Sequence, residues 1–361
     1  MECALLKLAG PRPAAATLSR EARIERIKAI ERGVVWRGAL AGALSGLAAA
    51  GGVQLAEPLF IETPAHWSDM LPYYGVTLGI SGGATILEIA FLFWDGARSA
   101  LHIGAVADSL DAEGATELGT MEMTLLRAGL ETPPPRTLWR GIDPLATKSR
   151  ARLLLFSFLY KAKVGGTSAI VKALVRKIAA RLGGRTVARS VVELAAAPVF
   201  AIWNAVVCKK VMREARIRAL GPSAVEQIYG QCFPEGFGAC SPDEQKACFL
   251  ALREEIVAAG RRHPNVTRMG YRMFLSASYE FDPSDPESFD QLLERLPESR
   301  AERVVNFALM LAVLDGNLSR QEKELASDMA RRVGIQDADE RLQAHLEAVE
   351  TGGLLSMGAA S

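Results

Sequence analysis

The chain has 361 residues, 49% of them apolar, with 42 Lys or Arg against 41 Asp or Glu and a formal net charge of +1. The length allows two or three folding units. The five cysteines, three of them at an eight-residue spacing (Cys232, Cys240, Cys248), exclude a disulfide-dense scaffold and match neither a zinc ribbon nor a CxxC redox site, so plain thiols in a reducing cytosol are expected.

Charge is unevenly spread. Residues 127–189 carry 14 Lys or Arg and only Glu131 and Asp143, whereas residues 221–361 carry 23 acidic and 14 basic residues. A basic middle and an acidic end imply two different surroundings. Residues 1–35 form a basic segment whose one apolar stretch, Ala4–Leu8, is too short for a secretory signal and contains Lys7.

Residues 36–94 predict a transmembrane helical hairpin. The first run, 38–56, is uncharged and reaches about 28 Å as a helix, close to the ~30 Å hydrocarbon core. The second, 70–94, carries one charge, Glu88. The acidic connection between them holds Glu57, Glu62 and Asp69, while Arg20 to Arg37 precede the pair and Arg98 and the basic region follow it. The positive-inside rule then places both ends in the cytoplasm, and two aromatic groups, Trp67, Tyr73 and Tyr74 against Trp36, Phe93 and Trp94, mark the two headgroup levels. The rival reading is a buried helix pair in a large soluble core.

Gly38, Gly42 and Gly46 recur every four residues, as do Gly75, Gly79 and Gly83, which puts each series on one helix face. In a soluble helix each glycine costs about 1 kcal/mol against Ala, whereas between membrane helices small residues allow close approach. The two faces are expected to meet, within the hairpin or between protomers of a homo-oligomer; the plainer reading is an Ala/Gly-rich span. Glu88, as an ionisable group inside a span, is a candidate for proton or cation handling. Its alternative is a place near the inner interface, partly hydrated or protonated, since no second charge lies in the hairpin to pair with it.

Residues 95–147 comprise a helical segment of mixed charge and a stiff linker at Pro133–Pro135. Residues 148–220 follow as basic, membrane-proximal helices. From Ser168 onward Lys172, Arg176, Lys177 and Arg181 alternate with apolar residues at helical spacing, which suits either an anionic lipid headgroup surface or the solvated face of a packed helix. No aromatic stacking set accompanies these charges, so nucleic acid is not expected. The apolar stretch 190–207 has basic clusters on both sides and is read as re-entrant, interfacial or buried instead of spanning, with Asn204 pairing a backbone group freed by Pro198.

From residue 221 the chain reads as a soluble, cytoplasmic helical bundle, with helical patterns near 243–260, 287–296, 300–314, 319–333 and 338–350. Gly334 suits a helix-ending position, and Ser319 with Glu322 forms a capping box. The stretch 303–335 runs through apolar Phe307–Leu314, then Asp315-Gly316-Asn317-Leu318-Ser319, then Glu322 and Arg332-Val333-Gly334-Ile335. It resembles the TerB-like family, the helical module named from tellurite-resistance operons, with an extent of about 243–350. The resemblance implies an all-helical domain, a protein partner or divalent cation at an acidic face, and a bacterial inner-membrane setting linked to envelope or metal stress. Its acidic positions fall on Asp315 and Glu322. With Asn317 they would offer oxygens to a hard cation such as calcium, although Arg320 and Ala326 stand where an EF-hand loop needs Gly and Glu. Turn and cap are the competing roles for these residues.

Chemistry-bearing motifs are absent: there is no Walker A loop, GxSxG elbow or GxGxxG, and His66, His102, His263 and His345 fit no HExxH spacing. The sequence therefore predicts an all-α, non-enzymatic, membrane-anchored protein without a resident cofactor, whose cytosolic domain binds a partner. The alternative is a small transporter, channel or membrane-remodelling protein built on the glycine-lined hairpin.

Overall fold

The computed structural model describes residues 19–61, 64–107, 121–130, 138–144, 185–282, 287–353 and 355, with the side chains of 185–196 excepted. Among the described residues the fold is all-helical, without strands; one isolated bridge joins Trp139 and Ile142. The helices are α1 Arg20–Ala56, α2 Leu71–Ala107, α3 Met121–Gly129, α4 Arg185–Cys232, α5 Pro242–Ala259, α6 Pro264–Ser276, α7 Phe289–Arg295, α8 Glu298–Ala312, α9 Arg320–Arg332 and α10 Ala338–Thr351. Two of them, α1 and α2, are long and apolar enough to cross a membrane. The basic residues Lys172, Arg176, Lys177 and Arg181 lie outside the described residues.

Two compact units emerge, one of residues 28–99 and 149–212, the other of 1–27, 100–148 and 213–361. The boundaries fall inside α1, α2 and α4, so each of these helices contributes to both units, where the charge pattern suggests contiguous segments.

In the first, apolar unit, α1 and α2 run antiparallel. Near one end the Arg37 guanidinium spans both carboxylate oxygens of Asp95, with Nε 3.1 Å from each. Fifteen residues further along α1, Gly52 lies against Ile80 of α2. These two contacts keep one register over the whole length of the pair. The third member, α4, packs along the other glycines of α1. A β-carbon built on Gly38 would meet Cys208, on Gly42 Phe200 and Asn204, and on Gly46 Ala197. Numbers rise along α1 as they fall along α4, so these two helices are also antiparallel. The stretch 190–207 is thus part of one continuous helix, Arg185–Cys232, lying lengthwise on α1.

The second, helical unit is organised around α8, which packs on α5, α9 and α10. Val304 through Leu314 are buried without a break, as expected of a helix surrounded on every side. Phe233, Phe237, Phe249 and Phe307 meet in edge-on and tilted pairs at the centre. Buried Asn265 ties this core together: its Nδ2 donates at 3.0 Å to the carbonyls of both Ile217 and Leu314. Helix starts follow local chemistry. Ser241 caps α5 ahead of Pro242, Ser288 and Gln291 form a capping box on α7, and Ser319 and Glu322 form one on α9. One helix departs from the sequence reading. No helical pattern is expected between 260 and 287, yet His263 starts α6: its Nδ1 accepts from the Asn265 amide and Pro264 occupies the first helical position.

Candidate functional site

The apolar unit contains a polar node. Glu88 of α2 and Asn204 of α4 meet with Nδ2 of Asn204 donating to Oε1 of Glu88 at 2.6 Å, and Gly42 of α1 lies against the same Asn204 amide. Three helices therefore converge at one level. Asn204 is 6% exposed, and Glu88 is half-buried. The glycine is what lets Asn204 in: a β-carbon at Gly42 would stand 2.7 Å from the amide nitrogen and 2.5 Å from the Phe200 carbonyl oxygen. This corrects the expected role of Asn204, which reaches Glu88 and not a backbone group at Pro198. A carboxylate in an apolar helix unit needs a donor, and a side chain 116 residues away in sequence supplies it.

Helix periodicity extends the node along α2. Thr77, Ser81, Thr85, Glu88, Asp95 and Ser99 follow each other at intervals of three, four or seven and so share one face. That face is turned to α1 and α4, because it carries the Asn204 and Arg37 contacts. Thr85 Oγ1 donates back to the Ser81 carbonyl at 2.8 Å, and Thr77 Oγ1 is buried without a hydrogen-bond partner among the described residues. Ser99 Oγ accepts from Arg37 at 3.4 Å. Elsewhere on α2, Leu78, Ile86, Leu87 and Ile89 are all exposed.

The two glycine series part company. Gly38, Gly42 and Gly46 are buried under α4, whereas among the described residues Gly75, Gly79 and Gly83 have no heavy atom within 4 Å of a built β-carbon. The expectation that the two series meet inside the hairpin is therefore corrected. The internal contact of the hairpin uses Gly52 and Ile80, and the α2 glycines lie on its open face. The packing of α1 on α4 yields a direct check. A β-carbon at Gly38 would sit 3.5 Å from Cβ of Cys208, within the range for a disulfide. Mild oxidation of Gly38→Cys is expected to join residues 38 and 208 within one chain in high yield. Peptide mapping that finds residue 38 unpaired would refute the antiparallel packing.

In the helical unit the predicted cation ligands are held by protein groups. Asp315 Oδ2 accepts from Arg261 at 2.6 Å and its Oδ1 from the Asn317 amide at 2.8 Å, while the side chain of Asn317 is exposed. Glu322 Oε2 accepts from the Ser319 amide at 2.5 Å, closing the capping box. Among the described residues no group of three or more His, Cys, Asp or Glu is placed to hold a metal ion. A third carboxyl, Glu255 of α5, faces Asp315 and Glu322 from within the core. Burial first, then the negative charges of Glu322 and Asp315, push its pKa well above the ordinary value of 4.5. Nothing local in the sequence marks Glu255 as their neighbour.

The cysteine cluster is also settled by burial. Cys232 is pushed up to about 12 and Cys240 to about 11, and burial also holds Cys248 well above the ordinary thiol value, so these thiols keep their protons at neutral pH and are poor nucleophiles and ligands. A hollow of about 250 Å³ lies between Ile24, Leu220, Val349 and Leu355, and the Arg20 guanidinium beside it donates to the Gly353 carbonyl. No protein family, curated protein or solved structure matches this chain.

Proposed function

We propose that the protein is a membrane-anchored adaptor. In this reading α1 and α2 cross a bacterial inner membrane with both termini cytoplasmic, α4 enters beside them as a third embedded helix, and the helical unit binds a protein partner from the cytoplasm. The observation that carries the reading is the outward face of the apolar unit. Trp36, Leu40, Leu44, Ile86, Leu87, Ile202 and Trp203 are exposed on α1, α2 and α4 together, and the most apolar stretch of α2 buries none of its residues. Water would penalise such a surface at about 25 cal/mol per Å², whereas lipid would not. The inward glycines and outward leucines of α1 suit the same solvent.

The resemblance of residues 303–335 to the TerB-like module, and the acidic excess after residue 221, point to a partner that presents basic groups, in an envelope- or metal-stress setting. The turn and cap roles of Asp315 and Glu322 make binding, not chemistry, the task proposed for this unit.

Topology labelling tests the reading. In a variant freed of native cysteines, Ser68→Cys is expected to react with an impermeant maleimide on intact spheroplasts, and Glu235→Cys only after permeabilisation. Release of the protein by alkaline carbonate, or equal labelling at both positions before permeabilisation, would overturn it.

A further inference from the structure

We propose that Glu88 is a reversible proton-binding site inside the apolar unit, with Asn204 as its positioning residue and the hydroxyls of Thr77, Ser81 and Thr85 as its route toward the α1–α2 connection. The proposal rests on the membrane reading above and adds an activity to it. Along α2, Glu88 lies about 10 Å from Asp95 and about 16 Å from Thr77, well inside a span from either side. Among the described residues it is isolated from other charge. On α1 no charged residue lies between Arg37 and Glu57, on α2 Glu88 stands alone between Asp69 and Asp95, and the described side chains of α4 bear no charge from Ala197 to Cys208. A carboxylate so placed has two ways to exist without a counter-cation: accept hydrogen bonds or take up a proton.

The structure supplies one donor, Asn204, which cannot itself change charge. A purely structural clamp between helices would need only two neutral amides. Glu88 adds to that a titratable oxygen, on a face whose remaining polar groups are hydroxyls able both to donate and to accept. Thr77 Oγ1, buried and without a partner among the described residues, continues that face beyond Ser81. In the other direction the face leads to Asp95 and Ser99, held by Arg37. Uptake adds one proton from water to a Glu88 carboxylate oxygen and gives the neutral acid. Release regenerates the carboxylate, so a full cycle moves one proton and requires no oxidant or reductant.

The test uses the full chain reconstituted in vesicles loaded with a pH-sensitive dye, with a potassium diffusion potential, negative inside, as driving force. Interior acidification is expected to run severalfold faster than in protein-free vesicles and to fall to that background in Glu88→Gln. Asn204→Leu is expected to slow acidification severalfold, because the carboxylate loses the amide that positions it, and Asn204→Gln to restore the parent rate. Each variant also carries Gly38→Cys, and its cross-link to Cys208 reports that the three helices still pack. Vesicle flotation separates the two ways of failing. Protein that floats with the vesicles but gives only background acidification, or a cross-linked Glu88→Gln that acidifies as fast as the parent, overturns the proton site and leaves the membrane reading standing. Protein that does not float overturns the membrane reading and the proton site with it.

Discussion

Gly42→Val is expected to separate α4 from α1, while Gly79→Val, an identical change on another four-residue glycine series, leaves the fold intact. The difference comes from what each new side chain meets. At Gly42 the first carbon would already stand 2.5 Å from a backbone oxygen and 2.7 Å from a backbone carbon of Phe200, and backbone cannot rotate away. At Gly46 the obstacle is likewise backbone, the Cα of Ala197 at 2.6 Å. At Gly38 it is the Cys208 thiol, which can turn aside. The helices must therefore move apart at Gly42, and Asn204 withdraws from Glu88. Overpacking of this kind costs about 1–3 kcal/mol, and an interhelical hydrogen bond between membrane helices adds about 0.6 kcal/mol. At Gly79 nothing lies within 4 Å, and the expected change is within about 0.5 kcal/mol. Thermal unfolding of the detergent-solubilised chain, read with the yield of the 38–208 cross-link, measures both effects. Equal losses from the two variants would contradict the packing. A change of particle size confined to Gly79→Val would assign the open series to a contact between copies.

These glycines also show how far sequence reaches. A spacing of four defines a face, and both faces were legible; spacing does not name the neighbour, and the two series met different fates. Local signals carried well. The Ser319–Glu322 capping box and the Asp315-Gly316 turn need only residues within a few positions of one another, and Gly316 at φ +70° takes the backbone conformation such a turn requires. Non-local pairs did not carry. An Asn in an apolar stretch signals a buried partner, but nothing near Asn204 points to Glu88, and nothing near Glu255 points to Asp315. The missed helix α6 has a simpler cause. A proline after a histidine reads as an ending, yet proline is equally suited to the first turn of a helix when the residue before it supplies a cap.

The buried carboxyls predict a reversed pH response. Glu255 is 5% exposed and faces Glu322 and Asp315, with Arg261 bound to Asp315. Its folded-state pKa lies well above the unfolded value near 4.5, so the folded protein holds a proton that the unfolded chain gives up. The stability this proton contributes is complete below pH 4.5 and is lost as pH rises through the folded pKa. Glu322, raised by burial and then by Asp315, acts in the same direction. Glu214 acts in the opposite one. Burial works against its ionisation, but His263 and Arg218 outweigh that and hold it well below 4.5, so its contribution is present above pH 4.5 and fades in acid. Glu255→Gln keeps a neutral, hydrogen-bonding side chain of the same size and removes one titration. Relative to the parent, the variant is expected to gain stability as pH rises from 5 to 8, approaching about 1.4 kcal/mol per pH unit over the interval in which the folded parent keeps its proton and unfolding releases it. Thermal unfolding of the full chain at the two pH values reads this gain as a difference of differences, so any fixed cost of the substitution cancels. A gap between variant and parent that stays constant from pH 5 to 8 would show that Glu255 is already ionised in the fold. In that case Arg261 would have to neutralise more than the carboxylate of Asp315.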